Sequence, residues 1–208
     1  MSNMKTPSAA KSSRSKSKPG KELLPSARQR LLATARELFY KEGSRAVGID
    51  RVLAESGVAK MTLYHHFQSK DDLIAACLRE HDEDYWKHWD ARVQRVTTGA
   101  SAQLRDILRT LAIRSSESDY RGCVFLNTAV DYADPSHPAR VVAVEHKQKL
   151  YDRLLALSRS AGAHDAEALA RQLLLLINGA QATSGMLGPN VQHALIKAGE
   201  VLLKAQGL

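Results

Sequence analysis

Apolar residues along most of the chain recur every three or four positions, and few stretches alternate with period two. That spacing is the signature of helices with one buried face, so the pattern predicts an all-α fold of about nine helices. From Ser26 onward, Leu31, Ala35, Leu38 and Phe39 fall on one helical face. Ser26 and Gln29 have the spacing of a capping box, and Gly43 is a stop for that helix. A short second helix fits Ile49, Val52 and Leu53, with Gly48 at its start and Gly57 just past its end. A third fits Leu63 and Phe67, one turn apart. Ser69 with Asp72 caps a fourth, carried by Leu73, Ile74, Cys77, Leu78, His81, Tyr85 and Trp89. Further helices fit residues 101–117, 123–133, 139–161, 165–184 and 191–206, separated by Gly99, Gly122, Asp134-Pro135, Gly162 and Gly188-Pro189.

Residues 1–24 show no such period. They contain Lys11-Ser-Ser-Arg-Ser-Lys-Ser-Lys-Pro-Gly20, which cannot offset its ordering entropy, and the expectation is a disordered basic arm. The charge supports setting it apart. Of the net +8, residues 1–25 hold +5, residues 26–75 hold +2 and residues 76–208 hold +1. A basic arm on a balanced body suits a polyanionic partner. The longest run of large apolar side chains, Leu173 to Ile177, is far short of the ~20 residues of a bilayer span, which excludes an integral membrane protein. The arm has no apolar stretch of a secretory signal, and Cys77 and Cys123 are too few for a disulfide framework. A cytoplasmic setting follows as the expectation.

Residues 49–67 read helix, tight turn, helix, with the turn at Glu55-Ser56-Gly57-Val58. Gly57 can take a positive φ, and Val58 can plug the corner between the helices. Such a unit presents its second helix to the DNA major groove. The exposed side of that helix carries Lys60, Met61, Thr62, Tyr64, His65 and His66. A cation, a methyl-bearing hydroxyl, a phenol and imidazoles can reach phosphates and base edges.

The run Gly57-Val-Ala-Lys-Met-Thr-Leu-Tyr-His-His-Phe67-Gln-Ser-Lys70-Asp-Asp-Leu73 strongly resembles the TetR family of bacterial transcriptional regulators. The likeness extends back through Ile49, Val52 and Leu53 to Ala35, Leu38, Phe39 and Gly43. Arg121-Gly-Cys-Val-Phe-Leu-Asn127 looks like a segment found in some members. The resemblance implies a three-helix DNA-binding head over residues 25–85, with its helix-turn-helix at about 48–67, and a ligand-binding and dimerisation domain over residues 86–208. It implies base-facing positions for Lys60, Met61 and Thr62, phosphate contacts for Tyr64, His65 and Lys70, and a place for Gly48 in the DNA-facing set. Three positions depart from the family pattern. Ala59 stands where Ser or Thr usually caps the recognition helix, Met61 where a small residue is common, and Gly48 where many members carry a hydroxyl. The partners implied are a palindromic double-stranded operator, a second copy of the chain and a small-molecule effector.

Tyr85 and Trp89, on the helix that joins head to body, are candidates to line an effector pocket, and Phe125, Asn127, Asp131, Tyr132 and His146 are weaker ones. The alternative for the aromatic group, Trp86 included, is core packing. Cys123 follows Gly122 and opens a helix, a position that can activate a thiol, so a redox sensor is an alternative to ligand control. His81, Asp82, Glu83, Asp84 and His88 have metal-like spacing, but a solvated face explains them more simply, and no metal or cofactor is expected. No phosphate-binding Gly loop, Gly-x-Ser-x-Gly elbow or His-Glu-x-x-His is present, which argues against an enzyme. The leucines of the last two segments, with Leu169, Leu173, Leu176 and Ile177 on one face and Val191, Leu195, Ala198, Leu202 and Ala205 on another, point to burial on more than one side. The function expected is a ligand-released homodimeric repressor, with an activator of the same kind as the alternative.

Overall fold

The computed structural model describes Met1, residues 25–187 and residues 190–208. The expected basic arm of residues 2–24 and the Gly188-Pro189 break lie outside the described residues. Nine helices and no strand occur among those that are described. They are α1 (Ala27–Glu42), α2 (Ile49–Ser56), α3 (Lys60–His66), α4 (Lys70–Arg95), α5 (Ala100–Arg114), α6 (Val124–Asp131), α7 (Pro138–Ala161), α8 (Ala166–Leu187) and α9 (Asn190–Ala205). No described helix is long and apolar enough to cross a membrane.

Local chemistry sets the head. Ser26 Oγ accepts the Gln29 N–H at 3.2 Å, and Gln29 Oε1 accepts the Ser26 N–H at 2.8 Å, closing the capping box of α1. α2 ends at Gly57, whose φ of +63° belongs to the left-handed region, and the Gly57 N–H donates back to the Leu53 carbonyl at 3.1 Å. Val58 is buried behind it. α3 starts at Ala59, which offers no side chain to its free N–H groups. Seven residues without a cap do not hold a helix in water, so tertiary contacts must hold this one. They come from Leu63, with no exposed surface, and from Phe67. Ser69 Oγ accepts the Asp72 N–H at 3.0 Å and starts α4.

Two apolar clusters fill the molecule, and α4 runs through both. Leu73, Ile74, Cys77 and Leu78 belong to the first, with Leu31, Leu32, Val52, Leu63 and Phe67 of the head. Trp86 and Trp89 belong to the second, with α5, α7, α8 and α9. The first cluster also takes in Phe125 of α6 and Ala139, Val142 and Ala143 of α7. Part of the body therefore packs directly on the head. Polar ties reinforce this contact. Tyr40 Oη of α1 accepts the Arg121 N–H at 2.9 Å, and the Ser44 and Tyr132 hydroxyls lie 3.0 Å apart.

The leucine runs of α8 and α9 divide in a way their spacing did not reveal. Leu169, Leu173 and Ile177 are buried in the chain's own core, as are Leu195 and Leu203 of α9. A second stripe faces outward. On α8 it comprises Leu175, Gly179, Ala182 and Met186, and on α9 Ala194, Val201 and Ala205 are exposed with Ala198 half-buried between them. Each stripe advances by four, three and four residues, so it runs straight along one face of its helix. Leu175 is 71% exposed, Met186 73% and Val201 66%.

Candidate nucleic-acid interface and internal cavity

α3 stands at the surface of the head with its apolar side turned inward. Met61 is 82% exposed and Tyr64 46%, and Lys60, His65 and His66 are exposed beside them. Thr62 is half-buried, on the turn nearest Leu63. Lys60 Nζ lies 3.6 Å from Asp50 Oδ1 of α2, an open surface pair of small energetic weight that a phosphate can replace. The His65 and His66 rings sit edge to face at 5.3 Å. Lys70 Nζ donates to the Arg45 carbonyl at 3.5 Å, which fixes the first turn of α4 beside the loop between α1 and α2. Gly48, exposed at the start of α2, has an extended backbone and no side chain to cap the helix.

A cavity of about 830 Å³ lies between head and body. Arg36 and Tyr40 of α1 form one wall, Tyr85, Trp89 and Arg92 of α4 a second, and Tyr120, Cys123 and Phe125 a third. His146 of α7 and Ile177 of α8 close it from behind. Its size is that of a small-molecule site, and Tyr40, Tyr85, Trp89, Tyr120 and Phe125 place aromatic rings on its wall. Tyr85 lies edge-on to Trp86 at 4.9 Å and to His146 at 4.8 Å. Burial raises the pKa of both the Tyr85 and Tyr120 phenols, so each is an un-ionised hydroxyl.

At the back of the cavity His146 is 2% exposed and stacks on Phe125 at 3.6 Å. Its Nδ1 is 2.6 Å from Asp82 Oδ1, which also accepts the Trp86 Nε1–H at 2.6 Å. Burial, as the larger influence, pushes the His146 pKa down to about 4 against the pull of Asp82. That direction favours the neutral imidazole over the imidazolium. Burial, aided by Arg36, likewise lowers the pKa of His81.

A chain with these two features has relatives among known proteins. The family model described as "Bacterial regulatory proteins, tetR family" matches residues 31–77. The crystal structure of a TetR-family transcriptional regulator from Streptomyces coelicolor is 35% identical and superposes with a TM-score of 0.79, covering 88% of this chain and 96% of that one. The chain belongs to the TetR family. Two curated relatives add to this. The HTH-type transcriptional activator FasR of Mycolicibacterium smegmatis is 29% identical over 72% of this chain and 68% of its own. The Transposon Tn10 TetC protein of Escherichia coli is 40% identical over 52 residues, and the match spans 25% of this chain and only 26% of that protein.

As a TetR-family member the protein is a DNA-binding transcriptional regulator, and the positions singled out in its sequence sort accordingly. Tyr85, Trp89, Phe125 and His146 meet around one cavity. Asn127 does not join them. It lies two residues from Phe125, about 200° around α6, and so faces away. Its amide donates to the Arg121 carbonyl at 3.0 Å, and it borders a separate hollow of about 250 Å³ with Asp131. Tyr132 is spent on Ser44 and on a stack with His137 at 4.0 Å. Trp86 packs away from the cavity under Lys149, whose Nζ is 4.7 Å from the ring centre. The metal-like residues on α4 disperse to other tasks. Asp84 pairs with Arg36 at 3.0 Å, Asp82 with His146, and His88 Nδ1 meets the Asp84 carbonyl at 2.6 Å. Cys123 is buried at the start of α6, with its side chain on the cavity wall.

Sequence reading missed Arg36, Tyr40 and Tyr120 as cavity residues. The first two sit on α1, within the head, and nothing in the local pattern reports that α1 closes a cavity of the body. Tyr120 sits in the α5–α6 loop, where periodicity carries no information. Arg45 is exposed in the short Gly43–Gly48 connection, beside Lys70.

Proposed function

We propose that the protein is a homodimeric regulator that holds a palindromic operator through α3 of each subunit and loosens its hold when a small molecule fills the 830 Å³ cavity. The observation that carries this reading is the makeup of the cavity wall. Arg36 and Tyr40 belong to α1 of the head, while Trp89, Ile107 and Ile177 belong to the body. A molecule bound there touches both, so its binding energy can differ between two placements of the head, as a ligand switch requires. A dimer is supported by the outer stripes on α8 and α9, which are largely exposed among the described residues. Contiguous exposed apolar surface of that kind marks an interface.

The DNA-facing set comprises Gly48, Lys60, Met61, Thr62, Tyr64, His65 and Lys70. Met61 adds a thioether that packs against a thymine methyl, and the missing cap at Ala59 leaves backbone N–H groups free at the start of α3. The body holds the effector with Tyr85, Trp89 and Phe125, and the protein acts in the cytoplasm on double-stranded DNA. Displacement from an operator that overlaps a promoter makes it a repressor. The M. smegmatis relative is named an activator, which favours activation as the second reading. The two differ in where the operator lies and not in how α3 reads it.

Thr62 and Tyr64 test the assignment. Thr62→Ala is expected to change preference at one or two base pairs, with at most ~1–3 kcal/mol of discrimination lost. Tyr64→Ala is expected to weaken all sequences alike. Binding of both variants across an operator library reads the difference. If both bound like the parent, α3 would not be the recognition helix.

A further inference from the structure

The cavity's chemistry narrows what fills it. This step rests on the reading of the cavity as an effector site. Every charged residue on its wall already has a partner of opposite sign within the protein. Arg36 lies 3.5 Å from Glu80 and 3.0 Å from Asp84, Arg92 lies 3.7 Å from Asp106, and Arg114 lies 3.1 Å from Asp119. Glu37 is held by Lys41 at 2.6 Å. Each charge on the wall is thus offset by one of opposite sign, so an ionic guest would have to compete with a partner already in place.

Neutral polar groups remain open. His146 is almost wholly buried, and its Nδ1 is committed to Asp82 at 2.6 Å. With a carboxylate as partner, a neutral imidazole carries its proton on Nδ1 and leaves a lone pair on Nε2. Nε2 has no hydrogen-bond partner among the described residues, and the ring lines the cavity. The Tyr85 and Tyr120 hydroxyls likewise lack partners among the described residues, and both residues line the same cavity. Around these groups stand Trp89 and Phe125, flat surfaces that favour a flat guest.

We propose that the effector is an uncharged aromatic molecule with a hydrogen-bond donor, a phenol or an aromatic N–H, which donates to His146 Nε2 while its rings lie among Tyr85, Trp89 and Phe125. A buried acceptor built to receive a hydrogen bond discriminates strongly against an analogue that lacks the donor, because the acceptor is then left desolvated and unpaired.

Three probes with one skeleton separate the possibilities: 4-phenylphenol, 4-methoxybiphenyl and biphenyl-4-carboxylate. Calorimetric titration of the full-length dimer without DNA is expected to give the phenol at least a tenfold lower Kd than either of the others. His146→Phe is expected to erase the phenol's advantage over the ether, whereas His146→Gln, which keeps an acceptor, retains part of it. Because His146→Phe removes one of the partners of Asp82 and can fail to fold, the wild-type protein provides an independent readout. Nitrogen-15 spectra are expected to show His146 protonated at Nδ1 only, with the Nε2 resonance moving when the phenol is added. Equal binding of phenol and ether, tightest binding of the carboxylate, no binding of any probe, or a proton already on Nε2 would each overturn the proposal. Operator affinity, measured separately with the phenol present, tests the regulatory reading. A phenol that binds through His146 without changing that affinity would sink the switch and leave the ligand class standing.

Discussion

Placing aspartate at both Leu175 and Val201 is expected to convert the protein to a folded monomer and to lower operator affinity at least about a hundredfold. Both side chains are largely exposed and lie on the outer stripes of α8 and α9, away from the buried Leu169, Leu173 and Leu195. Two charges per subunit, facing two more across the twofold axis, oppose association without touching the core. The DNA effect follows from geometry. Two heads must meet major grooves ~34–36 Å apart, or a multiple of that, and a monomer reaches only one half-site. Specific sites are bound at roughly 10⁻⁸–10⁻¹¹ M, so halving the contacts removes several kcal/mol, and each 1.4 kcal/mol is about tenfold. Light scattering should show about 46 kDa for the parent, twice 22.9 kDa, and half that for the variant. Helical circular dichroism should be unchanged. A variant that remained dimeric would move the interface to another face.

The second large effect is expected at Leu63. Leu63→Ala should destabilise the head by ~2–5 kcal/mol, because the side chain has no exposed surface and its removal leaves a cavity. α3 is seven residues long and lacks a side-chain cap, so it has little else to hold it. Leu63 packs in the cluster shared by α1, α2, the first half of α4, α6 and the first turns of α7, whereas the α8–α9 region belongs to the second cluster. Operator binding should therefore vanish while the mass stays at that of the dimer. Thermal unfolding should begin roughly 4–20 °C lower. Loss of the dimer together with DNA binding would mean that the two clusters unfold as one.

The helices were legible wherever one residue type settles a boundary. Ser26 with Gln29, Ser69 with Asp72, and Gly57 act within a turn of chain, and the sequence contains all the physics needed to read them. The two aromatic residues Tyr85 and Trp89 were legible as a pair because four residues bring them to one face of α4. Asn127 was grouped with Phe125 as a pocket candidate, yet two residues on a helix point nearly opposite ways, and its amide turns to the Arg121 carbonyl. The leucine stripes illustrate a different limit. Period and hydrophobicity show that Leu173 and Leu175 both belong on apolar faces, but they do not show which face meets the chain's own core. That depends on where α5, α7 and α9 lie. Tyr40 was invisible for the same reason, since its position in the cavity wall arises only when α1 meets the α5–α6 loop.

The central claim is that two copies of α3, held in a dimer, read a duplex. Selection of bound sequences from a random duplex library with the full-length protein tests it most directly. The account predicts enrichment of an inverted repeat whose half-site centres lie ~10–10.5 base pairs apart or at a multiple of that spacing. It also predicts that Tyr64→Ala enriches the same motif with lower affinity. Enrichment of a single unrepeated motif, or of none, would contradict it.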